Sequence, residues 1–328
     1  LGADNAPTEE AHVSLNGTEM EGVLCLQLLQ TNRSAHSWIY PAALSVFFVL
    51  LLVYCLWLIY ADEHDKKSAG LTFLYTFRRY KFLLQQLVSR DFKTKYKRSV
   101  LGVFWSFLNP LLTMAVQYIV FSQLFRFKVE NYPVYLLTGI VFFNGFSEAT
   151  TQAMSAIVGN ASLITKVYVP KYIYPVSKVL SSTVNLLLSL IPLMLVALLT
   201  GVKPTLALLV VPFGIFFYIL FIIGMSFVLS AAMTFFRDMQ FLWGVFTMMW
   251  MYATPIIYPM DTIKGTFLVG FQTINPLYHF ISFFRTAIIA GTSPEPMEYV
   301  ICVFWAVLAL AIGGTIFRKT QDQFVLHI

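Results

Sequence analysis

Seven stretches of this chain are apolar over about the 20 residues that a helix needs to cross a bilayer. That repetition limits the fold more than any single motif does. The first window, at about 38–60, reads WIYPAALSVFFVLLLVYCLWLIY and carries aromatic residues at both ends, where membrane–water interfaces place them. It starts too deep in the chain and is too long for a cleaved signal peptide, although it suits an uncleaved signal anchor. The others lie at about 101–125, 133–158, 176–200, 205–234, 240–258 and 298–317. Composition agrees: with 58% hydrophobic and 12% charged residues and a mean hydropathy of +0.72, the chain lacks the polar residues to cover a soluble globule. The expected class is an all-α integral membrane protein, with six core spans preceded by one extra N-terminal span.

Lys and Arg fix the expected orientation. With residue 1 outside and seven crossings, sixteen of the 22 cations fall in cytoplasmic segments, which satisfies the positive-inside rule and puts the C-terminus in the cytoplasm. The net charge of +6 does not suggest nucleic acid, because the cations sit beside hydrophobic spans rather than on a polar domain. Anionic lipid headgroups are their expected counter-charge. Residues 1–37 read as a polar, acidic extracytoplasmic tail. Cys25, Cys55 and Cys302 are odd in number and far apart, so they give no disulfide framework and no metal site.

Between the first window and the core, Phe73, Phe77, Tyr80, Leu84, Leu87, Val88, Phe92 and Tyr96 follow the spacing of one helical face. A cytoplasmic interfacial amphipathic helix over 72–98 is expected, with its apolar side in the acyl boundary and its cations among the phosphates. Arg90, Lys93, Lys95, Lys97 and Arg98 crowd its end, immediately before the first core span. A plain topology signal accounts for part of that charge.

Two further segments depart from a simple span-and-loop pattern. In GNASLITKVYVPKYIYP (159–175) a short helix is expected from about 161 to 168, opened by Asn160 as N-cap and broken before Pro170. Leu163, Ile164 and Val167 give it one apolar side, and Lys166 lies beside them. Residues 259–297 are too apolar for a water-exposed loop and too interrupted by Gly and Pro for a span. Two half-helices, about 261–271 and 277–290, dipping into the outer leaflet reconcile these properties if protein covers their free backbone groups. An amphipathic lid on the outer surface is the alternative.

Catalytic motifs are missing from the sequence: it contains no GxxxxGK[ST], HExxH or CxxC. Asn144, Glu148 and Gln152 recur every four residues inside an apolar window, which places three polar groups on one helix face. A carboxylate there faces the bundle interior, a partner or a water-filled path. A structural hydrogen bond and a substrate contact are both compatible with that spacing.

RDFKTKYKRSVLGVFWSFLNPLL, NASLITKVYVPKYIYPVSK, FFRDMQF (235–241), TPIIYP (254–259) and INPLYHFISFFR (274–285) occur in this order. Over about 71–328 the chain resembles the transmembrane subunit of type-2 ABC exporters for lipid-linked polysaccharides, the O-antigen, capsule and teichoic-acid exporters. The resemblance implies a permease without its own catalytic motif. It pairs with a second copy of itself and with two cytoplasmic ATPase subunits that use ATP and Mg, and it moves an undecaprenyl-linked glycan outward. It also implies roles for residues. Arg90, Lys93, Lys95, Lys97 and Arg98 would receive the lipid's phosphates on a gate helix. Asn160, Leu163, Ile164 and Lys166, together with Arg237 and Asp238, would meet the ATPase. Asn144, Glu148, Gln152, Pro276, Tyr278 and Arg285 would belong to the path and its outer gate. The extra N-terminal span departs from the family pattern. Rival readings are an exporter of small hydrophobic compounds and an integral-membrane lipid- or glycan-modifying enzyme; the second requires clustered acids and histidines, which isolated Glu148 and Asp238 do not supply.

Overall fold

The computed structural model describes residues 14–15, 18–19, 69–97, 99–125, 131–166, 169–260 and 266–324. The window at 38–60, Arg98, and residues 167–168 and 261–265 lie outside them. The chain divides into two units, Leu1–Thr76 and Phe77–Ile328. In the first, two short strands pair antiparallel, β1 (Ser14–Leu15) with β2 (Thr18–Glu19). Helix α1 (Ala69–Tyr96) begins there, three residues ahead of its expected start.

The second unit is helical. The six core windows correspond to α2 (Trp105–Phe125), α3 (Tyr132–Met154), α6 (Ile173–Leu199), α7 (Val211–Phe235), α8 (Met239–Ala253) and α11 (Pro296–Thr320). Among the described residues, four segments, Gly102–Ser122, Ile173–Leu199, Leu206–Phe235 and Pro296–Gln323, are long and apolar enough to cross a membrane. Helix α3 owes its lower hydropathy to its polar second half, and α8 stops at 15 residues because Thr254 and Pro255 turn the chain into extended backbone.

Helix α3 is the central element. Every residue from Leu136 to Phe143 is buried, and α2, α6, α7 and α10 (Pro276–Arg285) pack around it. Aromatic rings fill this interior. Phe142 stacks on Phe284 with centroids 3.7 Å apart, Phe146 stacks on Phe221, and Tyr218 donates its hydroxyl to the Phe142 carbonyl at 2.6 Å. Much of the chain's Phe content is therefore core, not lining for a passage. The closest helix crossing joins α7 to α11, where a Cβ added to Gly313 would lie 2.0 Å from the Gly224 carbonyl oxygen. Only hydrogen at both positions allows that approach, the small-residue packing that apolar helices use in membranes.

The apolar face of α1 meets protein. Leu84 and Leu87 are buried with Ala156, Ile157, Ile173, Tyr174, Ala231, Phe317 and Phe324, and Tyr80 and Leu83 pack against the same cluster. The periodicity located the face correctly. What covers it, over this part of the helix, is the ends of α6, α7 and α11 instead of the acyl boundary, while Phe82, off that stripe, is 71% exposed.

The expected half-helices exist with shifted bounds, as α9 (Thr266–Ile274) and α10, the latter continued by a π-helical turn over Thr286–Ala290. Pro276 occupies the first turn of α10, where a missing N–H costs nothing. Asn275 caps that helix, its side-chain oxygen accepting from Leu277 N at 3.2 Å. Its amide donates to Thr254 Oγ1 and Gln272 Oε1, and its oxygen also accepts from Trp250 Nε1 at 2.9 Å. Gln272 Nε2 donates to the Ala253 carbonyl at 2.6 Å. Side chains thus satisfy the broken backbone at this turn, the condition for irregular chain at membrane depth.

Candidate functional site

The end of α1 meets α2, α3 and α6 at a cavity of about 290 Å³, whose lining includes Lys95, Trp105, Asn109, Asn144, Glu148 and Asn185. Its organising feature is one oxygen. Glu148 Oε1 accepts from Lys95 Nζ at 2.7 Å, from Asn185 Nδ2 at 2.8 Å and from Gln152 Nε2 at 2.9 Å. Three helices converge on a single carboxylate in this way, and its charge is matched by a cation from α1, as an acid at membrane depth requires. Tyr96 adds a second tie, donating to Asn185 Oδ1 at 3.0 Å and sharing a short hydrogen bond with Ser106.

Pro110 explains part of the local order. It lies inside α2 four residues after Ser106, and without an N–H it leaves the Ser106 carbonyl without its helical partner. Ser189 Oγ of α6 donates to that carbonyl at 3.1 Å and fastens α2 to α6 beside the cavity.

The cations expected to await lipid phosphates divide into two groups. Lys95 is paired with Glu148. Arg90 binds its neighbour Asp91 at 3.1 Å and reaches Asn160 Oδ1 at 3.4 Å, while Lys178 of α6 pairs with Asp91 at 2.8 Å. These contacts fasten α1 to the bundle. Lys93 and Lys97 are exposed and have no ion-pair partner among the described residues.

Of the segment expected as one helix over 161–168, residues 167–168 lie outside the described residues, and Ala161–Ile164 forms a single turn, α5, preceded by another single turn, α4 (Ala156–Gly159). Asn160 sits between them at the N-cap position, but its side chain makes no capping bond. Its Nδ2 donates back to the Ala156 carbonyl at 2.8 Å, so the residue closes the preceding turn. Leu163 is exposed, Lys166 is exposed, and Ile164 packs on the cluster that also holds α1. The turns around Asn160 and α1 therefore share one hydrophobic cluster and the Arg90–Asn160 bond. Arg237 and Asp238 are exposed in the turn between α7 and α8.

Arg285 lies in a different kind of place. Its guanidinium donates to the carbonyls of Pro255 (2.7 Å), Ile256 (3.0 Å) and Tyr135 (3.1 Å) and stands 3.4 Å from the Tyr135 ring centroid. Tyr132 donates to the Ile257 carbonyl, and Tyr135 to those of Pro255 and Tyr258 in the same loop. Arg285 thus clamps α10 and the 254–258 loop to the start of α3. Tyr278 contacts the His279 ring, and His279 Nε2 lies 3.1 Å from the Thr273 carbonyl oxygen.

A row the sequence reading missed runs along α2. Asn109, Thr113 and Gln117 recur every four residues; Thr113 Oγ1 lies 3.5 Å from Asn109 Oδ1, and Gln117 Oε1 is buried without a hydrogen-bond partner among the described residues. The same four-residue spacing that exposed Asn144, Glu148 and Gln152 would have revealed it. The two rows meet where Asn109 and Asn144 line one cavity.

Residues 83–289 match the model of the family described as "ABC-2 type transporter". An O-antigen export system permease protein RfbA from Myxococcus xanthus is 29% identical over 252 residues, 76% of this chain and 96% of the relative. A protein of the same name from Klebsiella pneumoniae is 30% identical, covering 74% of this chain and 93% of its own length. The polysialic acid transport protein KpsM of Escherichia coli is 22% identical over 74% of this chain and 95% of its own. The family match takes in the charged end of α1, the cavity, the turns around Asn160 and the Arg285 clamp, and the chain belongs to the ABC-2 type transporter family.

Proposed function

We propose that the chain is the permease subunit of an ATP-driven exporter that moves undecaprenyl-linked polysaccharide from the cytoplasmic to the outer side of the membrane. In this reading it works as a pair of identical chains with two cytoplasmic ATPase subunits. The observation that carries it is the pair of polar rows on α2 and α3. Asn109 and Asn144 are exposed on a single chain, yet both lie in helices that are apolar over most of their length. Exposure to lipid would be costly, so a second copy or a water-filled path is their natural neighbour. The relatives named for O-antigen export and polysialic acid transport supply the substrate class.

Roles follow from what each residue has free. Lys93 and Lys97, uncommitted and at the charged end of α1, receive the phosphates of the lipid head. Leu163 and its short turn meet the ATPase, with Arg237 and Asp238 as a second contact. The polar cavity argues against the small-hydrophobic reading, since an apolar cargo gains nothing from desolvating amides and a carboxylate. The test is purification of the full-length chain from its own host in mild detergent. A soluble subunit carrying a phosphate-binding loop is expected to accompany it, and its repeated absence would overturn the assignment.

A further inference from the structure

Resting on the polysaccharide reading, we infer that the cavity between α1, α2, α3 and α6 is a binding site for one neutral pyranose ring, the sugar nearest the lipid phosphate. Size is the first ground. At about 290 Å³ the space would hold roughly ten waters. That accommodates a single ring.

Charge is the second ground. Among the residues lining the cavity, Lys95 is the cation and Glu148 the carboxylate, and they are paired at 2.7 Å. The lining is formally neutral, so it offers no excess attraction to a phosphate, and the carboxylate disfavours an acidic sugar. Phosphate recognition falls instead to Lys93 and Lys97, which flank Lys95 in sequence.

Hydrogen-bonding capacity is the third. The donors around Glu148 all converge on Oε1, which leaves Oε2 as an acceptor. Among the described residues the Asn144 amide makes no hydrogen bond and Asn109 Nδ2 has no partner. Two amides and a carboxylate oxygen suit hydroxyls, each of which both donates and accepts. Trp105, 45% exposed, brings an amphipathic ring to the same cavity, an apolar face for the C–H side of a sugar.

The experiment is saturation-transfer NMR on the full-length protein in nanodiscs, with methyl glycosides of neutral hexoses and N-acetylhexosamines as probes. Glucuronic acid serves as the charged comparator. At least one neutral glycoside should receive saturation, with affinity about tenfold lower in the Asn109→Ala plus Asn144→Ala variant, as expected for two lost hydrogen bonds. Glucuronic acid should give no more signal than empty nanodiscs. Lack of transfer to every neutral glycoside, an unchanged affinity in the double variant, or stronger binding of glucuronic acid would overturn the inference. Polymer export by wild-type cells is measured in parallel. Export without glycoside binding removes only the sugar site, whereas glycoside binding without export removes the export reading.

Discussion

Replacing Glu148 tests whether one carboxylate holds the end of α1 to the bundle. Its Oε1 accepts from Lys95, Asn185 and Gln152. The side chains of Lys95 and Glu148 are 39% and 33% exposed, so solvent screens their attraction to about 0.5 kcal/mol. The two amide bonds to a carboxylate contribute about 1 kcal/mol each at this partial burial. Glu148→Ala should therefore destabilise the protein by roughly 2–3 kcal/mol, and Glu148→Gln, which keeps a neutral acceptor, by roughly 1 kcal/mol or less. For a chain of this size each kcal/mol lowers the melting temperature by about 2 °C. The assay is thermal unfolding of detergent-solubilised protein at a fixed scan rate, because unfolding of such proteins is rarely reversible. A drop of about 5 °C is expected for Ala and about 1–2 °C for Gln. In a cycle with Lys95→Met, the effects of Lys95→Met and Glu148→Ala should fall short of additive by about 0.5 kcal/mol. An unchanged melting temperature in Glu148→Ala, or equal loss in Ala and Gln, would refute the reasoning.

Adjacent glycines of α11 provide an internal contrast. Gly313→Ala drives a methyl into the Gly224 carbonyl and should cost about 2 kcal/mol or more, whereas Gly314→Ala, with nothing within 4 Å, should melt within about 1 °C of wild type. Arg285→Lys keeps the charge but loses the planar fork that spans the carbonyls of Tyr135, Pro255 and Ile256. It should lower stability by about 2 kcal/mol, and a wild-type melting curve would contradict the clamp. Leu163→Asp places a charge on an exposed apolar residue of the proposed ATPase contact. Folding should survive, since the side chain is not part of the core, while the co-purifying ATPase is lost; full retention of that subunit would remove Leu163 from the interface.

Much of the helical framework is legible in the chain, because apolar length and four-residue spacing are local properties. Each of the six core windows coincides with a helix, although the one at 240–258 stops short at 15 residues, and the polar row at 144, 148 and 152 emerges where its spacing puts it. What spacing does not carry is the partner. Lys95 and Glu148 are 53 positions apart, and in sequence Lys95 is one more cation in a dense run; only the packing of α1 on α3 reveals that it is matched. Arg285 resembles an outer-loop cation in the same way, until the carbonyls of a distant loop are folded around it. The turn at Asn160 was misjudged for a different reason. Its side chain can satisfy a carbonyl behind it as well as an N–H ahead. The face of α1 was located by its periodicity, but periodicity is blind to whether lipid or protein covers that face.

The most direct measurement of the central claim is surface polymer in host cells whose own copy of the gene is deleted, complemented with wild-type chain or with Lys93→Ala plus Lys97→Ala. The account predicts that deletion traps lipid-linked polymer inside the cell and that wild type restores it to the surface. The double variant should assemble with the ATPase yet export poorly. Normal surface polymer in the deletion strain would contradict the export reading itself, and full export by the double variant would contradict phosphate capture at the end of α1.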